Sequence, residues 1–293
     1  MKILLAIVHY WDPQGNRRHQ SLRANPAPRA NALQHQILAL RRLAAQQYQM
    51  HMGDLNIYRT NDDQRLEIDL HLITDGEHTV LEHCGDDFRA CVTEVVTQPE
   101  SGLMLPFEAH RHLGEVLEKD ENAEYDLYGY LEDDLVIHDP QFFQKIRWFQ
   151  QLMGSDQVLL PQRVEFPSRP HLVDHLFIDG PLSDNDQALL PLKRLGPIVM
   201  QVPGGDVVFE SPQNPHAGCF FLSPEQLRYW QSQSHWLDRD CSFISPLESA
   251  ATLGLMKTFA LRKPAFSHAS WLELQHWGTS FHNLIRPPEP SGA

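Results

Sequence analysis

Nowhere in the 293 residues does an apolar run reach the roughly 20 residues that a membrane-spanning helix needs. The opening stretch, MKILLAIVHYW, carries one lysine and a short apolar run, too short for an export signal with its cleavage site. The expectation is a cytoplasmic protein, at most peripheral at a membrane. Basic residues are scarce as well: 24 Lys and Arg stand against 38 Asp and Glu, a formal net charge of -14. A nucleic-acid grip and a strong hold on anionic lipid both need clustered basic side chains, so neither is expected. The four cysteines, Cys84, Cys91, Cys219 and Cys241, show no CxxC spacing. That argues against a zinc site or a redox dithiol and leaves buried or free thiols. Also missing are GxGxxG after a strand, GxxxxGK[ST], HExxH and GxSxG, and with them the common dinucleotide, P-loop, zinc-protease and serine-hydrolase readings.

What is present reads as an alternation of strands and helices. The segment KILLAIVHY is continuous and apolar, the mark of a strand buried on both faces. From Arg29 to about Gln47, Leu33, Ile37, Leu40 and Ala44 recur at helical spacing. EIDLHLITDG and ACVTEVVT read as the second and third strands, FEAHRHLGEVLEK as a helix and YDLYGYL as the fourth strand. This order predicts an α/β fold with a mostly parallel central sheet flanked by helices. In such sheets ligands bind at the carboxyl ends of the strands. Here those ends carry His9-Tyr10, Thr74-Asp75 and Glu132-Asp133-Asp134.

After the triplet, Asp139 and Pro140 are read as opening a helix, PQFFQKIRWFQQLM. Residues 155–215 read as short strands and long loops, with room for a partner molecule. AGCFFL is a strand, followed by a helix whose cap is Ser223 with Gln226 at the third position. Ser245 and Glu248 repeat that pattern in SPLESAATLGLM. KTFALRKPAFSHASW reads as a last strand and turn. Residues 1–285 are taken as one domain and 286–293 as a disordered tail.

Three adjacent carboxylates at the end of a buried strand need a reason. Two unit charges about 4 Å apart interact by roughly 4 kcal/mol at an effective dielectric of 20. Beside a buried strand that repulsion raises pKa values or demands a counter-charge. A hard divalent cation supplies one, and keeps open positions for phosphate oxygens. An acidic, solvated turn would show the same three letters.

With an apolar strand before it and an Asp-Pro-aromatic helix start after it, YLEDDLVIHDPQFF resembles the glycosyltransferases of the GT-A fold. Those enzymes carry a short acidic motif, often DxD, after a core strand. A weaker likeness is to N-acetylglucosaminyltransferase-like members. The resemblance implies a Rossmann-like nucleotide-sugar-binding half, 1–138, and a loop-rich acceptor-binding half, 139–285. It implies a nucleotide-sugar donor (a UDP-sugar favoured), a carbohydrate or lipid-linked acceptor, and Mn2+ or Mg2+. Asp134 would be the direct metal ligand. Glu132 and Asp133 would contact ribose or sugar hydroxyls, or the metal through water. His9, Tyr10 and Asp75 would lie against the base. Asp75 reads equally as part of an Asp-Gly turn, and His9 and Tyr10 as core residues. Glu248, otherwise a capping residue, would be the base that deprotonates the acceptor, with Asp238 and Asp240 as substitutes. His268 would be a late metal ligand. Arg111 and Arg23 would hold the diphosphate, and Asn214, His216 and Gly218 would line the acceptor wall.

Two other classes stay open at this stage. One is a degenerate GT-A-like domain that binds carbohydrate or a protein partner without catalysis. The other is a sugar-nucleotidyltransferase, which would normally carry a dense glycine run after the first strand. HYWDPQGNRRHQ has a single glycine there.

Overall fold

The computed structural model describes residues 1–15, 20–119, 125–167 and 175–285. A five-stranded sheet forms its centre, in the order Cys219–Leu222, Leu127–Glu132, Lys2–Val8, Glu67–Thr74 and Thr93–Val96. The last four are parallel, and Cys219–Leu222 runs antiparallel at the edge. This is the α/β class with a mostly parallel sheet. Ile3 to Val8 are all buried, as the continuous apolar run requires. The helices Ala27–Leu43 and Leu105–Lys119 bury one side each, through Ala30, Leu33, Ile37 and Leu40, and through Leu105, Ala109, Leu113 and Leu117. Their period is that of an amphipathic helix packed on a core.

The strand order decides where a ligand can enter. From Lys2–Val8 the chain moves to Glu67–Thr74 on one side, and later returns to Leu127–Glu132 on the other. The order reverses between Lys2–Val8 and Leu127–Glu132, and the register sets Val8 opposite Glu132. Such a reversal leaves a crevice at the carboxyl ends, which is where α/β sheets take their ligands.

Several expected elements shift. The first helix ends at Leu43, short of Gln47. Residues beyond it form a separate hairpin, Gln47–His51 with Asn56–Thr60, which the helix reading missed. The helix expected at Pro140 starts at Phe142. Asp139 still serves its entry, because its carboxylate accepts the Gln141 N–H at 2.8 Å and the Lys145 ammonium at 2.6 Å. Ser223 and Gln226 form the expected capping box, but Ser245 makes no side-chain cap bond. Its hydroxyl donates instead to the Glu248 carboxylate.

The region 155–215 holds short strands and the helix Asp184–Leu189. The strand Ala260–Pro264, read as the last, is followed by Glu273–His276. That short strand pairs parallel to Gln162–Glu165 and antiparallel to Leu135–Val136. Within the same sheet the Trp277 N–H donates to the Asp134 carbonyl at 2.7 Å. The tail 286–293, Arg17 and Arg18 of the first loop, and residues 168–174 lie outside the described residues. The four cysteines are free thiols, Cys84 and Cys219 buried among them. Among the described residues no helix is long and apolar enough to cross a membrane.

Candidate active site

Asp133 is fully buried, and both of its oxygens are engaged. Oδ2 lies 2.5 Å from His9 Nδ1, and Oδ1 takes a bond from the Arg29 guanidinium. The Val80 N–H donates to His9 Nε2 at 3.0 Å, so that nitrogen is the acceptor and Nδ1 carries the hydrogen given to Asp133. His9 thereby ties the first strand, the acidic strand and the 75–80 loop together. Gln36, from the first helix, donates to the carbonyls of Glu132 and Leu135 at 2.6 and 2.8 Å, which fixes the backbone on either side of the acidic turn.

Asp134 faces a different set of partners. Its Oδ2 accepts from Arg29 Nη1 at 2.9 Å and lies 3.8 Å from His276 Nε2. Burial alone would raise the Asp134 carboxyl, but His276 and Arg29 outweigh it and hold the group below its ordinary value. His276 is oriented from behind: its Nδ1 meets Glu165 at 3.0 Å. The same buried carboxylate accepts the N–H groups of Phe281 and His282 and lies 3.1 Å from His282 Nδ1. A carboxylate fixing one imidazole nitrogen while the other points towards a second carboxylate is an arrangement also used to support metal-binding histidines.

Glu132 occupies the third position. Arg163 Nη1 is 3.8 Å from its Oε2, and His216 Nε2 is 3.9 Å from its Oε1. Burial pushes its carboxyl up to about 8; Arg163 works against this, and Asp134, Glu248 and Asp133 add to it. Arg163 is held by Asp179, which accepts from its Nη2 at 2.7 Å, and Lys263 closes on Asp179 at 3.2 Å. Burial alone would raise the Asp179 carboxyl, but Arg163 and Lys263 keep it well below the usual range. A buried network of Arg163, Asp179, Lys263 and Glu132 therefore underlies the triplet. Gly218 makes the close approach possible. Its φ is +63°, and a Cβ there would stand 2.8 Å from Glu132 Oε2.

Polar atoms without partners gather at this point. Tyr130 Oη, Glu132 Oε1, Asp134 Oδ1, Arg29 Nε and His282 Nε2 are all buried and unbonded. Buried polar groups are nearly always paired, so such a concentration marks a place built to receive something polar. Among the described residues, no group of three or more His, Cys, Asp or Glu side chains stands close enough to grip a metal unaided. A cation with two protein ligands and open positions for a substrate's oxygens is compatible with Asp134 and His276.

The structure brings several of the sequence candidates together. The triplet, His9, His216 and Gly218 share the site. Glu248 also faces it, near enough that its charge raises both Glu132 and Tyr130. Tyr10 follows the strand Lys2–Val8, and Asp75 follows the adjacent strand Glu67–Thr74. Asp75 accepts from the His78 and Glu77 N–H groups and meets His78 Nδ1 at 2.7 Å. Tyr10 packs on the His78 ring with centroids 5.0 Å apart.

Other candidates make contacts of their own. Arg111 pairs with Glu108 at 3.3 Å and is half exposed on its helix. Asp238 and Asp240 hold Lys257 at 2.6 and 2.8 Å. His268 pairs with the Ser267 hydroxyl at 2.9 Å, and the imidazole beside Asp134 is that of His276. Asn214 accepts the His216 N–H at 3.1 Å, and the Arg23 carbonyl accepts the Trp11 indole N–H at 2.8 Å. Sequence reasoning passed over Arg29, Arg163, Glu165, His276 and His282. The alternation in LELQHW was a faint signal for the strand that carries His276.

No family model matches the chain, and no curated protein does. Among solved structures it is similar to S. aureus TarS, with 8% identity and a TM-score of 0.43 over 95% of this chain and 37% of that one. The chain thus spans little more than a third of that structure's length. It is also similar to a mannose-1-phosphate geranyltransferase from Thermus thermophilus, with 13% identity and a TM-score of 0.37, over 90% and 73% of the two chains. Likenesses this distant assign no family.

Proposed function

We propose that the chain is a GT-A-like glycosyltransferase that moves a sugar from a nucleotide-diphosphate donor to an acceptor hydroxyl. One observation carries this reading: the acidic triplet stands at the strand-order reversal with Glu132 Oε1 and Asp134 Oδ1 buried and unpartnered. Polyanionic donors reach such a site only with positive charge beside the carboxylates, and Arg29 and Arg163 are already there. Mn2+ or Mg2+ would be held by Asp134 and His276, and when bound it supplies charge neutralisation at the leaving diphosphate.

The chain's own residues do the rest. Arg29 and Arg163 offset charge that develops on the departing phosphate. His9 and Gln36 keep the acidic turn fixed while the donor binds. Glu248 takes the proton from the acceptor hydroxyl as it attacks, with the Ser245 hydroxyl orienting its carboxylate. Tyr10 and Asp75 border the base, and a UDP-sugar is the favoured donor.

The reading is tested by following release of nucleoside diphosphate from a panel of nucleotide sugars with simple carbohydrate acceptors. Glu248→Gln should lower turnover by about 10^2- to 10^4-fold and leave donor binding intact. Turnover that the substitution does not change removes Glu248 from the role. Binding of a sugar without any turnover would instead favour a non-catalytic carbohydrate-binding domain.

A further inference from the structure

The hairpin Gln47–His51 with Asn56–Thr60 pairs with no other strand among the described residues. Nearly all of its residues are exposed, on both faces. Its register sets Tyr48 against Arg59 and Met50 against Ile57. Side chains alternate along a strand, so these four share one face. Met52 and Leu55 continue the apolar surface into the turn. Tyr48, Met50, Met52, Leu55 and Ile57 are 50%, 59%, 75%, 69% and 64% exposed. The opposite face carries Gln47, Gln49, Tyr58 and Thr60, and its polar groups find partners nearby: Tyr58 Oη donates to Asp54 at 2.7 Å, and Asn61 to Gln47.

We infer that this ribbon is a self-association surface, and that its occupant is the same hairpin of a second copy of the chain. Area is the first argument. A large side chain presents about 200 Å2 when fully exposed, so these fractions leave roughly 600 Å2 of apolar surface in one patch. That is the upper end of what a monomer leaves uncovered, and two such faces together reach about 1,200 Å2, the lower end for a stable interface.

Backbone is the second argument. Among the described residues both strands have open edges, and a two-stranded ribbon alone is marginal in water. A two-fold partner covers the face and offers edges to pair with. Charge is the third. The chain as a whole is at -14, yet residues 41–65 hold four arginines against three aspartates. Two strongly acidic molecules meet with least repulsion at such a near-neutral region. The same balance falls short of the basic cluster an anionic membrane needs. Arg59, the one charge on the apolar face, lies at the end remote from the turn, at the rim.

Sedimentation of the intact chain over a concentration series tests this. The mass should rise from 33.7 kDa towards twice that value, and amide exchange at residues 47–60 should slow as concentration rises. Met50→Glu with Ile57→Lys should stay monomeric at every concentration, with an unchanged far-UV circular dichroism spectrum, because both positions are exposed. A wild type that stays monomeric overturns the inference, as does a variant that dimerises equally well. Flotation with neutral and anionic vesicles covers the other occupant. Binding that the double substitution abolishes, by a protein that remains monomeric, would assign the face to lipid and overturn the self-association.

Discussion

His9 Nδ1 and Asp133 Oδ2 meet at 2.5 Å across two adjacent parallel strands, at the place where the strand order reverses. The contact links the first strand to the acidic turn, and Arg29 binds the other Asp133 oxygen from the first helix. Asp133→Ala would leave the His9 imidazole N–H and one arm of the Arg29 guanidinium unpaired in the interior, while the other arm still holds Asp134. Removing one partner of a buried ion pair costs about 3–5 kcal/mol. A urea titration should show a loss of that size, and a loss below about 1 kcal/mol would mean that Asp133 is not the anchor described.

Gly218 should tolerate no side chain. Its φ of +63° disfavours L-residues, and a Cβ would stand 2.8 Å from Glu132 Oε2 and 2.9 Å from Leu135 Cδ1. Gly218→Ala is expected to cost on the order of 2 kcal/mol and to weaken donor binding together with stability. Denaturation and nucleotide titration of the same variant check both effects.

His110 gives the fold a pH dependence of its own. It is buried, its Nε2–H donates to the Ala250 carbonyl at 2.9 Å, and burial lowers its pKa to about 4. A lowered folded pKa means that its contribution is complete above the unfolded value near 6.5 and is lost as pH falls towards 4. The loss is on the order of 3 kcal/mol. His110→Phe should flatten the change in stability between pH 7 and pH 4.5 relative to wild type. Equal pH profiles for the two proteins would show that His110 does not titrate in this range.

Parts of this architecture were legible in the sequence. The first strand and the strand of the triplet were read because long apolar runs declare burial without a partner being known. The Ser223–Gln226 box was read because a cap is a local code. The same code places Ser245 correctly at the cap position before Pro246, but not its hydroxyl, which is taken by Glu248. The hairpin at 47–60 went unread although Tyr48, Met50 and Met52 alternate, because the helical periodicity before it was carried too far. Nothing local in the sequence marks Arg163, Asp179 and Lys263 as buried, and only the fold shows them paired in the interior. His276 had only a faint local signal, the alternation in LELQHW. It stands on a four-residue strand fixed by pairing with residues more than a hundred positions away, and it is one of 17 histidines.

Glu165 is the orienting group behind His276 and His282. Glu165→Ala should lower manganese affinity about 10- to 100-fold, the usual cost of removing an outer-shell carboxylate. Calorimetric titration with Mn2+ measures this directly. An affinity unchanged in the variant would mean that His276 does not serve a cation.

The most direct test of the account is thermal unfolding with a panel of nucleoside diphosphates and nucleotide sugars, each with and without manganese. A ligand at 100 times its dissociation constant stabilises the fold by about 2.7 kcal/mol, a readily measured rise in Tm. The account predicts a rise for one base, dependent on manganese and abolished in Asp134→Asn. No rise with any nucleotide, or an equal rise in Asp134→Asn, would contradict a nucleotide-sugar site at the triplet.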